Sequence, residues 1–556
     1  MSAPQLASRR SPSTVMRLRR LGSLHQSRLS FMRVLTRRMA KEQWQFTTPA
    51  FNVDKHGVGH AVYAAHTPHR TYSLIAFAHD LAPELRSDRV IAEAWDATFC
   101  LFDGVPTTAD IQRLKSNVPL QEAGRVSENE LTLSRANRSV RLWDQVVSAL
   151  AAGQQPANTL LDKIGYLMRT TAVYGSGKFG AADRQCIAHR PELRGPFQVE
   201  MLTVYLIRAF VRDLVEHMAR TIGQEKAVPL DDRLARGLGI GNSTGLGMAP
   251  FLVNHPVLLN NWVMAREEAI ARVRRQKFAT LEECSEFIEL FQHSGESLSR
   301  WHSEHPLQQQ KLRDLHEDYQ KLQNYLNRFA MQHAYPWNRL FKWCETELST
   351  EGQEWVLSLM LEPYGYLIDE LVDTMDDRIS DAFSIDGAMC VAEVRELIQR
   401  SFDWALTLPW GAPTNNARVW YTSEEKLEPR LGERYEEAIE DYEQPLAPAR
   451  DASNAWGAMR LWNGSSPIAS FLLEHPEHRS AVWRAQLAAQ APYAELRDNT
   501  ISATMMPIDL LRAKLSFFGA ERFDPRSDRW VRICMFAGAP YPKELDNQCA
   551  DRWIYH

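Results

Sequence analysis

The sequence predicts a mostly helical α+β protein, with an internally duplicated helical core and a small antiparallel sheet formed by N-terminal hairpin strands and a C-terminal strand. Three observations lead there. Strand-like alternation is concentrated in residues 42–105 and returns near 529–536, whereas the long stretch between carries helical spacing. A six-residue string, Phe251-Leu252-Val253-Asn254-His255-Pro256, recurs as Phe471-Leu472-Leu473-Glu474-His475-Pro476. Each copy follows a small polar loop (Gly241 to Gly245, Asn463 to Ser466) and precedes a Trp, Trp262 or Trp483.

In chain order, the first element is a basic arm, residues 1–41, expected to be disordered. It holds nine Arg, Lys41 and no acid; with those ten cations against a total of −5, the rest carries −15. Such an arm suits RNA or anionic lipid, a transit peptide, or an acidic face of its own protein. Met32 and Met39 offer alternative starts.

Residues 42–105 read as a β-rich region. Gln43 to Val53 alternates, and Gly59 to Ala65 and Tyr72 to Ala78 flank a turn at Thr67 to Arg70, a hairpin pattern. Arg89 to Phe102 fits a strand or a helix. Residues 106–300 are assigned to the first half of the helical core. Ser127 with Glu130 reads as a capping box opening a helix that ends near Gly153. Pro196 to Arg220 is apolar on most sides, a buried helix. Its Arg208 then needs a partner, Glu200, Asp213 or a bound anion.

Residues 301–410 form a helical connector. Leu312, Leu315, Tyr319, Leu322, Leu326 and Phe329 follow heptad spacing for less than three heptads, which favours an internal hairpin over a homodimer seam. Residues 411–455 read as an irregular excursion, 456–524 as the second half of the helical core, and 525–556 as the C-terminal strand and tail. A lone strand at Arg529 to Phe536 needs a sheet to join.

Sixteen Trp and 22 Phe provide for a large core and exclude a disordered body. No apolar run is long enough to span a membrane. Seven scattered Cys without a CxxC pair point to a reducing, cytoplasmic setting and away from a thiolate zinc site.

The strongest chemical motif is Gly237 to Gly247, with five glycines around Asn242, Ser243 and Thr244. Exposed N–H groups in such a loop form an anion nest, and a following helix N-terminus would add positive potential. Gly175 to Gly180 matches GxGxxG, but a helical pattern precedes it where a dinucleotide fold needs a strand. What it offers is a cationic turn with Lys178, flanked by Arg169 and Arg184. Arg135 and Arg138 form part of an Arg stripe suited to carboxylate or phosphate. Asp369, Asp373 and Asp377 repeat every four residues; they resemble the Asp-rich helices of isoprenoid synthases without matching DDxxD. His60 and His66 share a strand face.

These residues together suggest an enzyme acting on a small anionic metabolite. Arg169, Lys178, Arg184, Asn242, Ser243, Thr244, Arg135 and Arg138 would bind it, and His255 or Glu200 would serve as acid–base groups. No reaction type, metal or cofactor is assignable. Two alternatives stand beside it: a non-catalytic RNA-associated or scaffold protein using residues 9–41, and a Mg²⁺-dependent diphosphate enzyme.

Overall fold

The computed structural model describes residues 7–86, 94–120, 124–171, 187, 189–244, 252–299, 306–328, 334–375, 385–412, 414–415, 421–422, 427–428, 446–499, 512–519, 522–524 and 531–555. Helix makes up 58% and strand 13%, so helix dominates as the sequence indicates. The chain forms two compact units. One comprises residues 30–243, 518–524 and 532–556; the other comprises 1–29, 244–517 and 525–531.

The first unit is built on a sheet far larger than the sequence suggests. Its strands are β1 (Gln45–Val53), β2 (Gly59–His66), β3 (Thr71–Ala78), β4 (Ala97–Asp103), β5 (Glu130–Arg138), β6 (Tyr166–Thr171), β7 (Gly239–Thr244), β8 (Arg522–Asp524) and β9 (Val531–Met535). They lie in the order β1-β2-β3-β4-β5-β6-β7-β9-β8. Neighbours from β1 to β6 are antiparallel, β6 and β7 are parallel, and the sheet curls. The expected small antiparallel sheet is therefore replaced by a nine-stranded mixed one.

Three misread segments account for the difference. Ser127 Oγ does donate to Glu130 Oε1 at 3.1 Å, but the turn it closes leads into β5, and the helix α3 starts only at Trp143. Leu131, Leu133 and Ala136 of β5 are buried along with Thr132, Ser134 and Asn137, so both faces are covered and the alternation that marks a strand disappears. Tyr166 to Thr171 lies directly after the short helix Asn158–Ile164, so the helical pattern expected before Gly175 is in part a strand. Gly239 to Thr244 forms a strand because its glycines let neighbours approach. A Cβ on Gly239 would lie 2.4 Å from the Met535 carbonyl oxygen, and one on Gly241 would lie 2.6 Å from the Tyr166 ring.

The helices of this unit are α1 (Phe31–Lys41), α2 (Thr108–Asn117), α3 (Trp143–Ala151) and α4 (Gln198–Gly223). Helix α2 sets Leu114 against Ile75, Cys100 and Leu133 on one sheet face. On the other face, Phe210 of α4 meets Tyr63 and Phe99 edge-on, and Thr203 bonds Thr132 at 2.8 Å. The strand near the C-terminus does join the N-terminal sheet, but at the end remote from β1.

The second unit is helical. Its elements include α5 (Pro256–Arg274), α6 (Leu281–Ser299), α7 (Pro306–Leu326), α8 (Thr350–Met360), α9 (Val391–Leu406), α10 (Ala447–Leu461), α11 (Ile468–Glu474) and α12 (Arg479–Gln490). The heptad helix α7 has an internal partner: Tyr319 stacks on Phe291 of α6 at 4.6 Å. Helices α9 to α12 share one core around Val394, Ile398, Phe402, Met459 and Phe471.

The expected basic arm is packed. Val15, Met16 and Leu18 are fully buried in the helical unit, and Phe31, Met32 and Leu35 of α1 in the sheet unit. Among the described residues, the two copies of the repeated string share only a local feature. His255 and His475 share a backbone break, φ −124°, ψ 59° against φ −125°, ψ 64°. Upstream, however, residues 239–244 are a strand while Asn463 to Ser466 is a hydrogen-bonded turn. The likeness is a local helix-breaking turn, in which Pro after His stops the preceding helix and starts the next segment.

Candidate ligand-binding site

Of the residues singled out by sequence, Arg135, Arg138, Arg169 and Asn242 fall on the adjoining strands β5, β6 and β7. Arg135 and Arg169 share one face, since Arg135 lies opposite Thr171 and Asn137 opposite Arg169 in the antiparallel pair. Arg169 is nearly fully buried, and the Arg135 guanidinium lies 4.1 Å above the Trp95 ring. Asn242 Nδ2 donates to the Thr170 carbonyl at 3.3 Å. Arg138 points to the opposite face, 4.9 Å from the Trp143 ring. At the strand ends the buried Asp96 accepts from Arg86 Nε at 3.2 Å and from the Arg138 backbone N–H at 3.0 Å. Burial lowers the Arg138 pKa, and Asp96 partly restores it.

The other expected residues do not join this group. Lys178 and Arg184 lie outside the described residues, as do the side chains of Ser243 and Thr244. Glu200 is buried in the first turn of α4. His255 is exposed at the break before α5 and belongs to the other unit. Gly239 and Gly241, expected to line an anion nest, are packing glycines in a strand. Arg208 is satisfied by backbone carbonyls, of Leu238 and Ala539 at 2.8 Å and of Arg236 at 3.0 Å, rather than by Glu200, Asp213 or an anion. Asp369 sits in a 3-10 turn, Asp369–Thr374, which breaks the four-residue repeat, and is held by Arg28 Nε at 2.7 Å; Asp377 lies outside the described residues. His66 bonds Thr47 at 2.9 Å and Thr71 at 3.0 Å.

A concave site lies elsewhere, within the helical unit. Leu397, Arg400, Ser401 and Trp404 fall at i, i+3, i+4 and i+7, one face of α9. They line a cavity of about 460 Å³ whose opposite wall is the end of α12 and the segment through Arg497. Ala488, Ala489 and Ala491 leave the space that larger residues would fill. The helix is kinked at Phe402 (φ −126°, ψ 27°), beside Asp403, whose Oδ1 accepts the Trp404 N–H at 2.7 Å.

The cavity is cationic. Glu495, the one carboxylate among its described lining residues, accepts from Arg484 Nε at 2.8 Å and Nη2 at 3.1 Å. Burial raises the Glu495 pKa, against the charge of Arg484. Arg400 and Arg497 are the other charged groups in the described lining, with Asp403 acting on Arg497 from beside it. The Arg497 guanidinium lies 5.3 Å from the Trp404 ring, and its buried Nε has no acceptor among the described residues. Burial lowers the Arg497 pKa; Asp403 raises it and Arg17 lowers it. The main chain of Arg497 is fixed from the N-terminal segment: its N–H donates to Met16 O and its carbonyl accepts from Arg17 Nη1, both at 2.8 Å. The only sequence signal for this site was a cation and an aromatic four residues apart, Arg400 and Trp404, a pattern common on solvated helices.

Comparison of the chain with protein families, with curated proteins and with solved structures finds no match. No helix among the described residues is long and apolar enough to cross a membrane.

Proposed function

We propose that the protein binds a small metabolite bearing a carboxylate or phosphate in the cleft between α9 and α12. The observation that carries this reading is Arg497, a partly desolvated guanidinium stacked by Trp404 at a cavity wall, with an Nε lacking a described acceptor. A buried donor left unmade costs about 1–3 kcal/mol, and an anion would satisfy it. The volume suits a small ligand, since such sites run to roughly 300–1,000 Å³. Trp404 favours a ligand whose anionic group adjoins a flat ring. The six free cysteines among the described residues fit a reducing compartment such as the cytoplasm.

The RNA-associated reading draws less support. Arg10, Arg20 and Arg28 of the N-terminal segment are engaged with buried or part-buried carboxylates instead of forming a free basic face. The diphosphate reading loses its repeating helix at Asp369. The test is a thermal-shift comparison with inorganic phosphate, citrate and AMP. The reading expects a concentration-dependent rise in Tm for at least one of them at constant ionic strength. Flat responses to all three would reject it.

A further inference from the structure

The helix break that ends α11 carries a second kind of site, independent of the cleft. His475, Glu477 and His478 each offer a ligand atom, and those atoms all lie within 4.8 Å of one another. Glu477 Oε1 stands between the two imidazoles, 3.2 Å from His475 Nδ1 and 3.9 Å from His478 Nε2. In a tetrahedral site with bonds near 2.0–2.1 Å, neighbouring ligand atoms sit about 3.3 Å apart, so small side-chain rotations complete the set.

The rings are held from behind. His478 stacks on Phe471 with centroids 5.8 Å apart and planes 5° from parallel. His475 lies 4.9 Å from the same ring and meets Trp462 edge-on at 5.6 Å. Phe471 is fully buried in the core of α9 to α12, so the platform is fixed to the fold. Pro476 fixes its own φ inside the turn. The first copy of the string provides an internal control: it has the same backbone break, but Val257 and Leu258 stand where Glu477 and His478 would be needed.

The geometry points to a solvent-facing divalent transition-metal site of the His₂–carboxylate type at His475, Glu477 and His478, with Zn²⁺ the best-matched ion. Two imidazoles and one carboxylate suit Zn²⁺ and its neighbours, whereas Mg²⁺ and Ca²⁺ prefer oxygen ligands. With three protein ligands the fourth position is left for water.

The test titrates the full-length protein with Co²⁺, followed by its visible absorption, and with Zn²⁺, followed by calorimetry. Wild type should bind one ion saturably at this site and develop a low-coordinate cobalt spectrum. E477Q, which keeps the shape of an exposed side chain, should weaken binding roughly tenfold or more, since losing even an outer-shell partner costs that much. The H475A/H478A pair should abolish it, and H255A should leave it unchanged. If the double variant loses its far-UV circular dichroism, E477Q alone decides. No saturable binding by wild type, or binding by E477Q equal to wild type, overturns the assignment.

Discussion

Arg10 and Glu354, 344 positions apart, meet in the interior of the helical unit, where Arg10 Nη1 donates to Glu354 Oε1 at 2.7 Å. Arg10 also chelates Glu267, through Nε at 2.8 Å and Nη2 at 2.6 Å. Glu354 in turn accepts from Arg266 Nη2 at 2.6 Å and Arg20 Nη1 at 3.0 Å. Both buried carboxylates are thus paired, by three guanidinium groups that leave one positive charge in excess, with Arg20 reaching toward solvent, which makes the N-terminal segment part of the core.

Removing Arg10 takes both of its hydrogen bonds from the buried Glu267, whose remaining ion pair is with Arg266 Nη1 at 3.9 Å. Arg10→Ala should lower the unfolding free energy by about 3–5 kcal/mol in urea denaturation. Truncation to Met39 should be worse, because it removes Arg10, Arg20 and the buried Val15, Met16 and Leu18 together. A truncated chain with an unchanged denaturation midpoint would show that the segment is an appendage.

The same network sets an acid limit. Burial pushes the Glu354 carboxyl upward, but Arg10, Arg266 and Arg20 outweigh it and hold the pKa far below the usual carboxylate range. A folded-state value below the unfolded one means the stabilisation is complete above about pH 4.3 and is lost as pH falls toward the folded value. Wild type should therefore lose stability below that pH more steeply than Glu354→Gln. Parallel stability–pH curves for the two would contradict the assignment.

Gly241 tests the reading of the glycine-rich stretch as a packed strand. Gly241→Ala forces a methyl against the Tyr166 ring and should destabilise by about 1–3 kcal/mol, read as a drop in Tm with or without anions present. A variant of wild-type stability would return the stretch to the loop chemistry its composition suggests.

These residues also show what the sequence could tell. The hairpin β1–β3 and helix α4 were legible because their apolar spacing is local and uninterrupted. Strands β5, β6 and β7 were not. Glu130 to Arg138 is covered on both faces and opens with a capping-box look-alike; Tyr166 to Thr171 is short and follows a helix; Gly239 to Thr244 owes its glycines to Tyr166 and Met535, both remote in sequence. Arg135, Arg138, Arg169 and Asn242 come from separate motifs in the sequence, and only strand pairing reveals that they sit on adjoining strands. The cleft escaped notice because Trp404 and Arg497 are 93 positions apart and Arg484 silences Glu495, facts that no local pattern encodes.

The most direct measurement of the central claim is calorimetric titration of phosphate, citrate and AMP, each into wild type and Arg497→Gln at constant ionic strength. Arg497 holds its place through main-chain bonds, so the variant keeps the fold while removing the charge. The account predicts saturable binding of at least one of the three by wild type and an affinity for it about tenfold lower or worse in the variant, the cost of losing a charge-assisted hydrogen bond of roughly 1.5–3 kcal/mol. Equal affinities, or no heat from wild type with any of the three, would contradict it.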